Sequence, residues 1–297
     1  MARTTVTRTG SATTASGRAS AGAPKPSFGK KLGDAGPAGQ ASPSKPAATA
    51  ATPTSAPTAK GRDQSAARPA PARFIGFAKD APRFFHELAA EMNRDWFAEH
   101  KAEYEALWVA PMTALLAEVR VGLAPTYRGL TLAEPKLFRI HRDVRFAKDK
   151  TPYKTHCAGL ITLGAGPAMA TGAALYLQLG EGEYAGAGFY GFTPDQLVRW
   201  RQAIVADRSG RELVAALAIA TQAGHTLDAQ EVLVRVPRDH DPDHPRADLL
   251  RHKGCVLGFP AIPRGLIHKP DLARWLTDHA TRAAPVVRWL ERNVGHS

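Results

Sequence analysis

The chain has 297 residues, of which 44% are hydrophobic, and its formal net charge at pH 7 is +12. That length permits one large domain or two small ones, whereas two cysteines are too few for a disulfide framework. The composition therefore excludes a small disulfide-stabilised secreted protein and favours a reducing, cytoplasmic location.

Residues 1–72 consist mainly of Ala, Ser, Thr, Pro and Gly, and apart from Met1 their large apolar side chains are Val6, Phe28 and Leu32. So few apolar groups cannot offset the backbone entropy of ordering, roughly 1–2 kcal/mol per residue, and we predict a disordered tail. Ten Lys and Arg against two Asp give this tail a net charge of +8. Such a charge suits either a solubilising extension or loose, salt-sensitive attraction to nucleic acid.

From Phe74 onward the apolar residues become periodic, and we predict a single globular domain over residues 73–297. Asp80 followed by Pro82 is typical of a helix start, because proline is tolerated in the first helical turn. The apolar face of this helix is made of side chains at spacings of three and four: Phe84, Phe85, Leu88 and Met92.

Two more helices are predicted directly after it. Asn93 and Asp95 indicate a break and a new helix cap, so a second helix begins there and carries Trp108 on its apolar side. A third helix follows Pro111, and the helical segment ends at residues 122–125.

The apolar period then falls toward two, which is typical of strands. Apart from the loop at residues 147–157, the connections are too short for helical crossovers, so the strands should form an antiparallel meander. The uncharged stretch from Cys157 to Gly180 is long enough to span a bilayer, but Gly and Pro interrupt it. We therefore predict two buried strands there and no membrane partner. The predicted strands are residues 136–146, 158–163, 173–179 and 184–190.

Helices return after these strands. Thr193 and Pro194 are typical of a capped helix start, and a further helix is predicted over residues 210–223. One more strand is predicted from the alternation of Val232, Val234 and Val236.

The chain ends with a short helix near Leu249 and Leu250 and with two helices separated by Pro285. Helices in blocks around a run of strands favour an α+β fold over a doubly wound parallel sheet. The predicted fold is an antiparallel β-sheet meander flanked by N- and C-terminal helices and preceded by the disordered tail.

The segment KLFRIHRDVRFAKDKTPYKTH, residues 136–156, concentrates charge. Between residues 139 and 154 six Lys or Arg and two Asp give a net charge of +4, which is the entire excess of the chain beyond the tail. In a straight strand Arg142 falls among the apolar residues, which is costly unless a carboxylate or carbonyl groups bind its guanidinium. The predicted apolar face holds Phe138, Ile140, Val144 and Phe146, and the opposite face holds Arg139, His141, Asp143 and Arg145.

A neutral body with one basic element predicts a site for a phosphate- or carboxylate-bearing ligand. Arginine binds such groups bidentately, lysine supplies a point charge, and tyrosine supplies a ring or a hydroxyl. The alternative is a network of salt bridges in which Asp143 and Asp149 only hold the loop. The candidate ligand-binding residues are Arg142, Asp143, Arg145, Lys148, Asp149, Lys150, Tyr153 and Lys154.

Four segments of the chain carry a resemblance to a known family. They are NRDWF at 93–97, RDVRFAKDKTPYK at 142–154, GAGFYGFTPDQL at 186–197 and HPRADLLRHKG at 244–254. In this order they resemble the domain of unknown function 2461 family, DUF2461, over roughly residues 74–293. The resemblance implies a single domain of this length, and it implies no activity, substrate or cofactor.

Two other patterns bear on cofactors and metals. GAGFYG, residues 186–191, has the spacing of a dinucleotide-binding loop, but antiparallel strands lead into it, so no cofactor is predicted and the glycines are interpreted as a tight strand exit. DHDPDH, residues 239–244, is flanked by prolines and is interpreted as an exposed turn, so no metal is predicted. Standard zinc spacing is also missing from His156, Cys157, His252 and Cys255.

The sequence leaves three functions open. The first is a binding or enzymatic domain with a pocket for a small anionic ligand, in which Asp143 or Asp149 acts as a base if burial raises its pKa. The second is a nucleic-acid-associated accessory protein that uses the basic tail and the charged loop. The third is a structural or interaction domain without a ligand site.

Overall fold

The structure is a computed structural model that describes residues 73–164, 172–229 and 231–295. The predicted disordered tail, residues 1–72, lies outside the described residues.

The first helix, α1, covers Ala81–Glu91 with Asp80 before its first residue and Pro82 in its first turn, as predicted. It ends at Met92, whose positive φ of 42° stops the helix. Phe84, Phe85 and Leu88 lie in the core, so the spacing of three and four correctly identified the buried side.

Helix α2, Arg94–Tyr104, begins at the predicted cap, where the Asn93 side chain accepts a hydrogen bond from the backbone N–H of Trp96 at 2.8 Å. The third helix predicted at Pro111 is present but is not separate from the second. Helix α3, Ala110–Leu123, continues α2 through a π-helical turn at Glu105–Val109. Because proline has no N–H to donate, a widened turn ahead of it lets the helix pass without a break.

The continuous helical stretch Arg94–Leu123 is long and apolar enough, by length and composition, to cross a membrane. The core helices of soluble proteins can meet the same test, and here α3 packs on other helices and on the sheet described next. The described residues have an α+β architecture.

Within the described residues, six strands form one open sheet in which every neighbouring pair is antiparallel. Its order is β1-β2-β3-β4-β6-β5, so the predicted meander of consecutive strands is confirmed over the first four. Two short strands that the sequence analysis missed complete the sheet. The strands are β1 Lys136–Leu137, β2 His156–Thr162, β3 Ala174–Gly180, β4 Tyr184–Phe189, β5 Thr226–Asp228 and β6 Cys255–Gly258.

The helices cover one face of this sheet. Leu175, Leu177 and Leu179 of β3 point to that face and have no exposed surface. Gly159 of β2, which pairs with Leu177, lies so close to α3 that a Cβ there would come within 2.6 Å of the Leu116 side chain. Only glycine therefore allows this close contact between sheet and helix.

The described part of the chain has four more α-helices: α4 Pro194–Val205, α5 Asp207–Gln222, α6 Ala247–Leu250 and α7 Asp271–Asn293. The predicted start of α4 is confirmed by a capping box in which Thr193 and Gln196 bind each other's backbone N–H groups. Helix α7, the last helix, packs against α3, α5 and β4. It therefore connects the C-terminal part of the described chain to the N-terminal helices and to the sheet.

The predicted division of the last helix at Pro285 is wrong, because α7 runs through this residue. The side chains of Ala284, Val286 and Val287 are at most 5% exposed. Burying each large aliphatic side chain contributes about 1.5–3 kcal/mol, which offsets the roughly 3 kcal/mol cost of an internal proline.

The strand predicted from Val232, Val234 and Val236 is also wrong. Val232 forms only an isolated bridge with His252, and Val234 is 90% exposed. The alternation therefore marks no buried face.

Candidate functional site

Residues 138–154 form a hairpin that projects from the sheet, and we call this segment the basic hairpin. Its two arms are joined by an isolated bridge between His141 and Tyr153 and by the backbone hydrogen bonds Arg142 N–H to Pro152 O, 2.8 Å, and Lys154 N–H to Ile140 O, 2.9 Å. The predicted strand over residues 136–146 is thus wrong beyond Leu137, because the regular pairing with β2 ends there and only separate backbone contacts continue before the chain turns back on itself.

The arms of the hairpin are anchored at their base by a buried tyrosine. Tyr153 is 4% exposed, and its ring centroid lies 4.6 Å from that of Phe97 on α2 and 5.1 Å from that of His141. Ile140 is also buried. Tyr153, a candidate ligand-binding residue, thus packs its ring into the core and fixes the hairpin to the helical layer.

The tip of the hairpin is held by an ion pair between Arg142 and Asp149. The guanidinium Nη1 lies 2.5 Å from the Asp149 carboxylate and also donates to the Thr151 hydroxyl. Asp149 accepts a further hydrogen bond from the Thr151 N–H at 2.9 Å. This backbone hydrogen bond, together with those from Arg142 and the Thr151 hydroxyl, lowers the pKa of Asp149 to about 2.

A second ion pair joins Asp143 and Arg145 on the other side of the tip. It is bidentate, with Arg145 Nη2 at 2.7 Å and Nε at 3.0 Å from the carboxylate oxygens. These hydrogen bonds lower the pKa of Asp143 to about 2. Both aspartates are therefore ionised at neutral pH, and the raised pKa that a catalytic base at Asp143 or Asp149 requires is not met.

The lysines of the hairpin bind no carboxylate within the described residues. Lys150 donates to the Val144 carbonyl at 2.8 Å, and Lys154 donates to the Arg139 carbonyl at 3.1 Å. Burial lowers the pKa of Lys154, with the charge of Arg139 as a second cause. The side chains of Lys148 and Arg139 make no hydrogen bond or ion pair with any residue in the described ranges. The net charge of +4 is thus left uncancelled by the rest of the domain.

Phe146 stands at the tip of the hairpin with 96% of its surface exposed. The sequence analysis placed it on a buried apolar face, and this is wrong because the backbone turns before residue 146 reaches the sheet. The Arg145 guanidinium carbon lies 5.9 Å from its ring centroid. Lys154 makes the same kind of contact with Phe138 at the base of the hairpin, 5.4 Å from the ring centroid.

Five of the charged candidates share the tip of the hairpin. The charged candidates of the tip lie at the end of the projecting hairpin and are largely exposed. Because these side chains are exposed, the site is open to an extended ligand. They are Asp143, Arg145, Lys148, Asp149 and Lys150.

The hairpin adjoins the sheet face opposite the helices, where an aromatic cluster was missed by the sequence analysis. Phe138 lies 5.9 Å from Tyr176, and Tyr176 lies 6.2 Å from Tyr184, measured between ring centroids. The Tyr184 hydroxyl donates to Asp228 at 3.1 Å. Burial raises the pKa of both phenols, so they remain neutral. Tyr176 and Tyr184 alternate with the residues of the helix-covered face along β3 and β4, and this period of two was the sequence signal that could have located them.

The glycines of GAGFYG serve the sheet. Gly186 and Gly188 lie in β4, and Gly188 has a φ of +146°. A Cβ at Gly188 would collide with the Cys255 carbonyl of β6, so glycine is required for the pairing of these strands. The surrounding strands are antiparallel, which is not the setting of a dinucleotide loop.

The other predicted groups are dispersed. Residues 239–244 form a turn in which the His240 N–H donates to the Pro237 carbonyl at 3.0 Å. Within residues 73–164, 172–229 and 231–295, no cluster of three or more His, Cys, Asp or Glu is placed to hold a metal ion. Cys157 and Cys255 are free and buried, and burial raises the pKa of each thiol to about 12, which makes both thiols poor nucleophiles.

A hollow of about 420 Å³ lies between the start of α5 and the end of α7. Its two arginines share one acid: Glu212 lies 3.4 Å from Arg208 and 2.8 Å from Arg292. Because that carboxylate offsets their charge, the hollow is a weaker anion site than the hairpin.

A family model of conserved hypothetical proteins, DUF2461, matches residues 80–289. The match covers more than two thirds of the chain and includes all four segments that carry the resemblance in the sequence. It spans the sheet and the basic hairpin. Searches of the curated proteins and of the solved structures gave no match.

Proposed function

The chain belongs to the DUF2461 family of conserved hypothetical proteins, and we propose that it binds the phosphate backbone of a nucleic acid through the exposed cations of the basic hairpin. The observation that carries this proposal is the location of the charge. The hairpin segment 139–154 has a net charge of +4, and the remainder of the chain after the tail is neutral. Positive charge clustered in one element of a fold is the electrostatic pattern of nucleic-acid binding proteins.

The arrangement of the cations supports a long polyanion over the small anion that the sequence analysis favoured. A small phosphate or carboxylate is held by basic groups that converge on it. Here the guanidinium groups of Arg142 and Arg145 are bound to aspartates, and the side chains of Lys148 and Lys150 lie at the tip. Cations presented outward in this way contact successive phosphates more readily than one phosphate.

The basic tail supports this proposal by its charge, which is known from the sequence. Its net charge of +8 would contribute non-specific, salt-sensitive attraction, and the hairpin would supply the fixed contacts. The remaining alternative is a domain in which the two ion pairs only stabilise the hairpin.

The test measures binding of the full chain to fluorescently labelled polynucleotides, with fluorescence anisotropy as the readout, over a series of salt concentrations. The variants are Lys148→Glu and Arg139→Glu, whose side chains have no partner in the described ranges, and the matched control is Lys79→Glu on the exposed surface before α1. A variant that no longer neutralises one phosphate should have a slope of log K against log salt that is smaller by roughly 0.7 to 0.9.

We expect the two hairpin variants to bind more weakly and with a smaller salt slope, and the Lys79 control to bind like the original chain. Equal affinities for the hairpin variants and the control would remove the hairpin from the interface. Tight binding of inorganic phosphate that competes fully with the polynucleotide would favour a small anion.

A further inference from the structure

Among the residues that the structure describes, Phe146 is an aromatic residue whose position the fold does not explain. Its ring is 96% exposed, although burying a phenyl ring is one of the largest single contributions to stability available to a side chain. The described core does not include it. A ring displayed at the tip of a hairpin is therefore available for a partner.

The hairpin holds the backbone on both sides of Phe146. The Asp143–Arg145 ion pair lies on one side of Phe146, and the Arg142–Asp149 pair encloses it along the chain. Lys150 also donates to the Val144 carbonyl across the tip at 2.8 Å. These contacts restrict the backbone on both sides of Phe146, so little conformational freedom remains to be lost when a partner binds.

One cation contacts the ring and two more follow it closely in the sequence. Arg145 lies 5.9 Å from its centroid, and Lys148 and Lys150 follow within four residues. A second ring and cation, Phe138 and Lys154, lie at the base of the same hairpin. Aromatic rings interleaved with cations are the arrangement by which proteins bind single-stranded nucleic acid, because the rings stack on bases while the cations contact phosphates.

We propose that Phe146 stacks on an unpaired base, so that the ligand of the basic hairpin is single-stranded nucleic acid. This inference rests on the proposed function and specifies its ligand. In a duplex each base is stacked on its neighbours, and its faces are closed to a side chain. In a single strand the faces are open, and any base can stack on the ring.

An anionic membrane is the other partner that an aromatic ring among cations can meet. The charge complementarity is the same for both partners, but the second ring at Phe138 lies back at the base of the hairpin, against Tyr176 of the sheet, and would not reach a membrane touched by the tip. One exposed phenyl group alone buries little area in a bilayer. The observations thus favour the nucleic acid.

The experiment measures binding of the full chain to labelled oligo(dT), and to the duplex formed by the same strand with oligo(dA), by fluorescence anisotropy. The variants are Phe146→Ala, Phe146→Leu and Phe146→Trp. The matched control is Val234→Ala, because Val234 is an apolar residue with a similar exposure, 90%. Phe146 has almost no contact with the core, so these variants should fold. Vesicles of phosphatidylcholine with phosphatidylserine serve as the second probe.

We expect Phe146→Ala and Phe146→Leu to bind oligo(dT) about five-fold or more weakly, whereas Phe146→Trp retains or exceeds the original affinity. Duplex binding should change by less than about two-fold, and Val234→Ala should have no effect. Leucine separates the two partners, because it inserts into a membrane but does not stack on a base.

Three results would overturn the proposal. If Phe146→Ala binds oligo(dT) normally while Lys148→Glu binds weakly, stacking is refuted and the proposed function stands. If the full chain binds no polynucleotide at low salt, both are refuted. If Phe146→Leu retains full binding to oligo(dT) or to the vesicles while Phe146→Ala loses it, the ring acts as an apolar anchor.

Discussion

The helical core and the basic hairpin use the same kind of side chain in opposite ways. In the core the Trp108 ring has no exposed surface, lies 5.3 Å from Phe77 and 4.6 Å from Phe85, and donates its indole N–H to the Ala81 carbonyl. At the hairpin tip Phe146 is almost fully exposed. Packing in the core accounts for the position of Trp108 but not for that of Phe146. The hairpin is therefore the better candidate for a functional contact.

The largest effect is expected in the core. Replacing Trp108 with Ala removes a fully buried ring and its hydrogen bond to Ala81, and should lower the free energy of unfolding by about 3–5 kcal/mol. Chemical denaturation followed by circular dichroism measures this difference. A decrease of less than about 1 kcal/mol would mean that Trp108 does not pack against α1 as described.

A buried histidine pair sharpens the contrast between interior and surface charge. His225 Nε2 lies 2.9 Å from His279 Nδ1 on α7, and the His225 ring stacks on Phe259 with centroids 5.1 Å apart. Burial first, and then the neighbouring His279 and Arg282, lowers the pKa of His225 to about 4. Burial also lowers the pKa of His279, with Arg282 as a further cause opposed by Asp278.

This pair should make the protein acid-sensitive. As pH falls from about 6.5 to about 4, the unfolded chain binds a proton at His225 and the folded chain does not, so stability falls. The lowered pKa of His279 acts in the same direction. The decrease can reach about 1.4 kcal/mol for each unit by which a pKa is lowered. Denaturation over this pH range should give a shallower dependence for His225→Gln than for the original chain. Identical dependences would show that His225 does not stay neutral in the fold.

The smallest effect is expected at the hairpin tip. Phe146→Ala should change the free energy of unfolding by less than about 0.5 kcal/mol, because the ring buries almost no surface in the protein. The same denaturation experiment tests this, with Trp108→Ala as the positive control. A decrease comparable with that of the tryptophan variant would place Phe146 in a core and remove the contrast on which its proposed role depends.

The sequence predicted the meander because β2, β3 and β4 are six or seven residues long and their connections are short. The sequence-based prediction failed where tertiary packing outweighed a local sequence rule. Pro285 does not divide α7, since buried residues flank it on both sides, and Pro111 is passed by a π-helical turn. Strands β5 and β6 are only three and four residues long, too short for a period to be recognised.

The sequence predicted which charged residues make up the candidate site but not how they are arranged in space. Counting Lys, Arg and Asp located the basic hairpin, because net charge needs no geometry. The exposure of Phe146 could not be derived from alternation, which fails once the chain turns. The His225–His279 contact joins residues 54 positions apart and leaves no local pattern to detect.

The most direct test of the central claim is to map where a single strand contacts the protein. Amide chemical-shift changes in the full chain should be recorded by NMR as oligo(dT) is added. We expect the largest changes at residues 144–150 and at the base of the hairpin near Phe138 and Lys154, with little change along α7. Changes confined to the tail, or spread over the helices with none in the hairpin, would contradict the account.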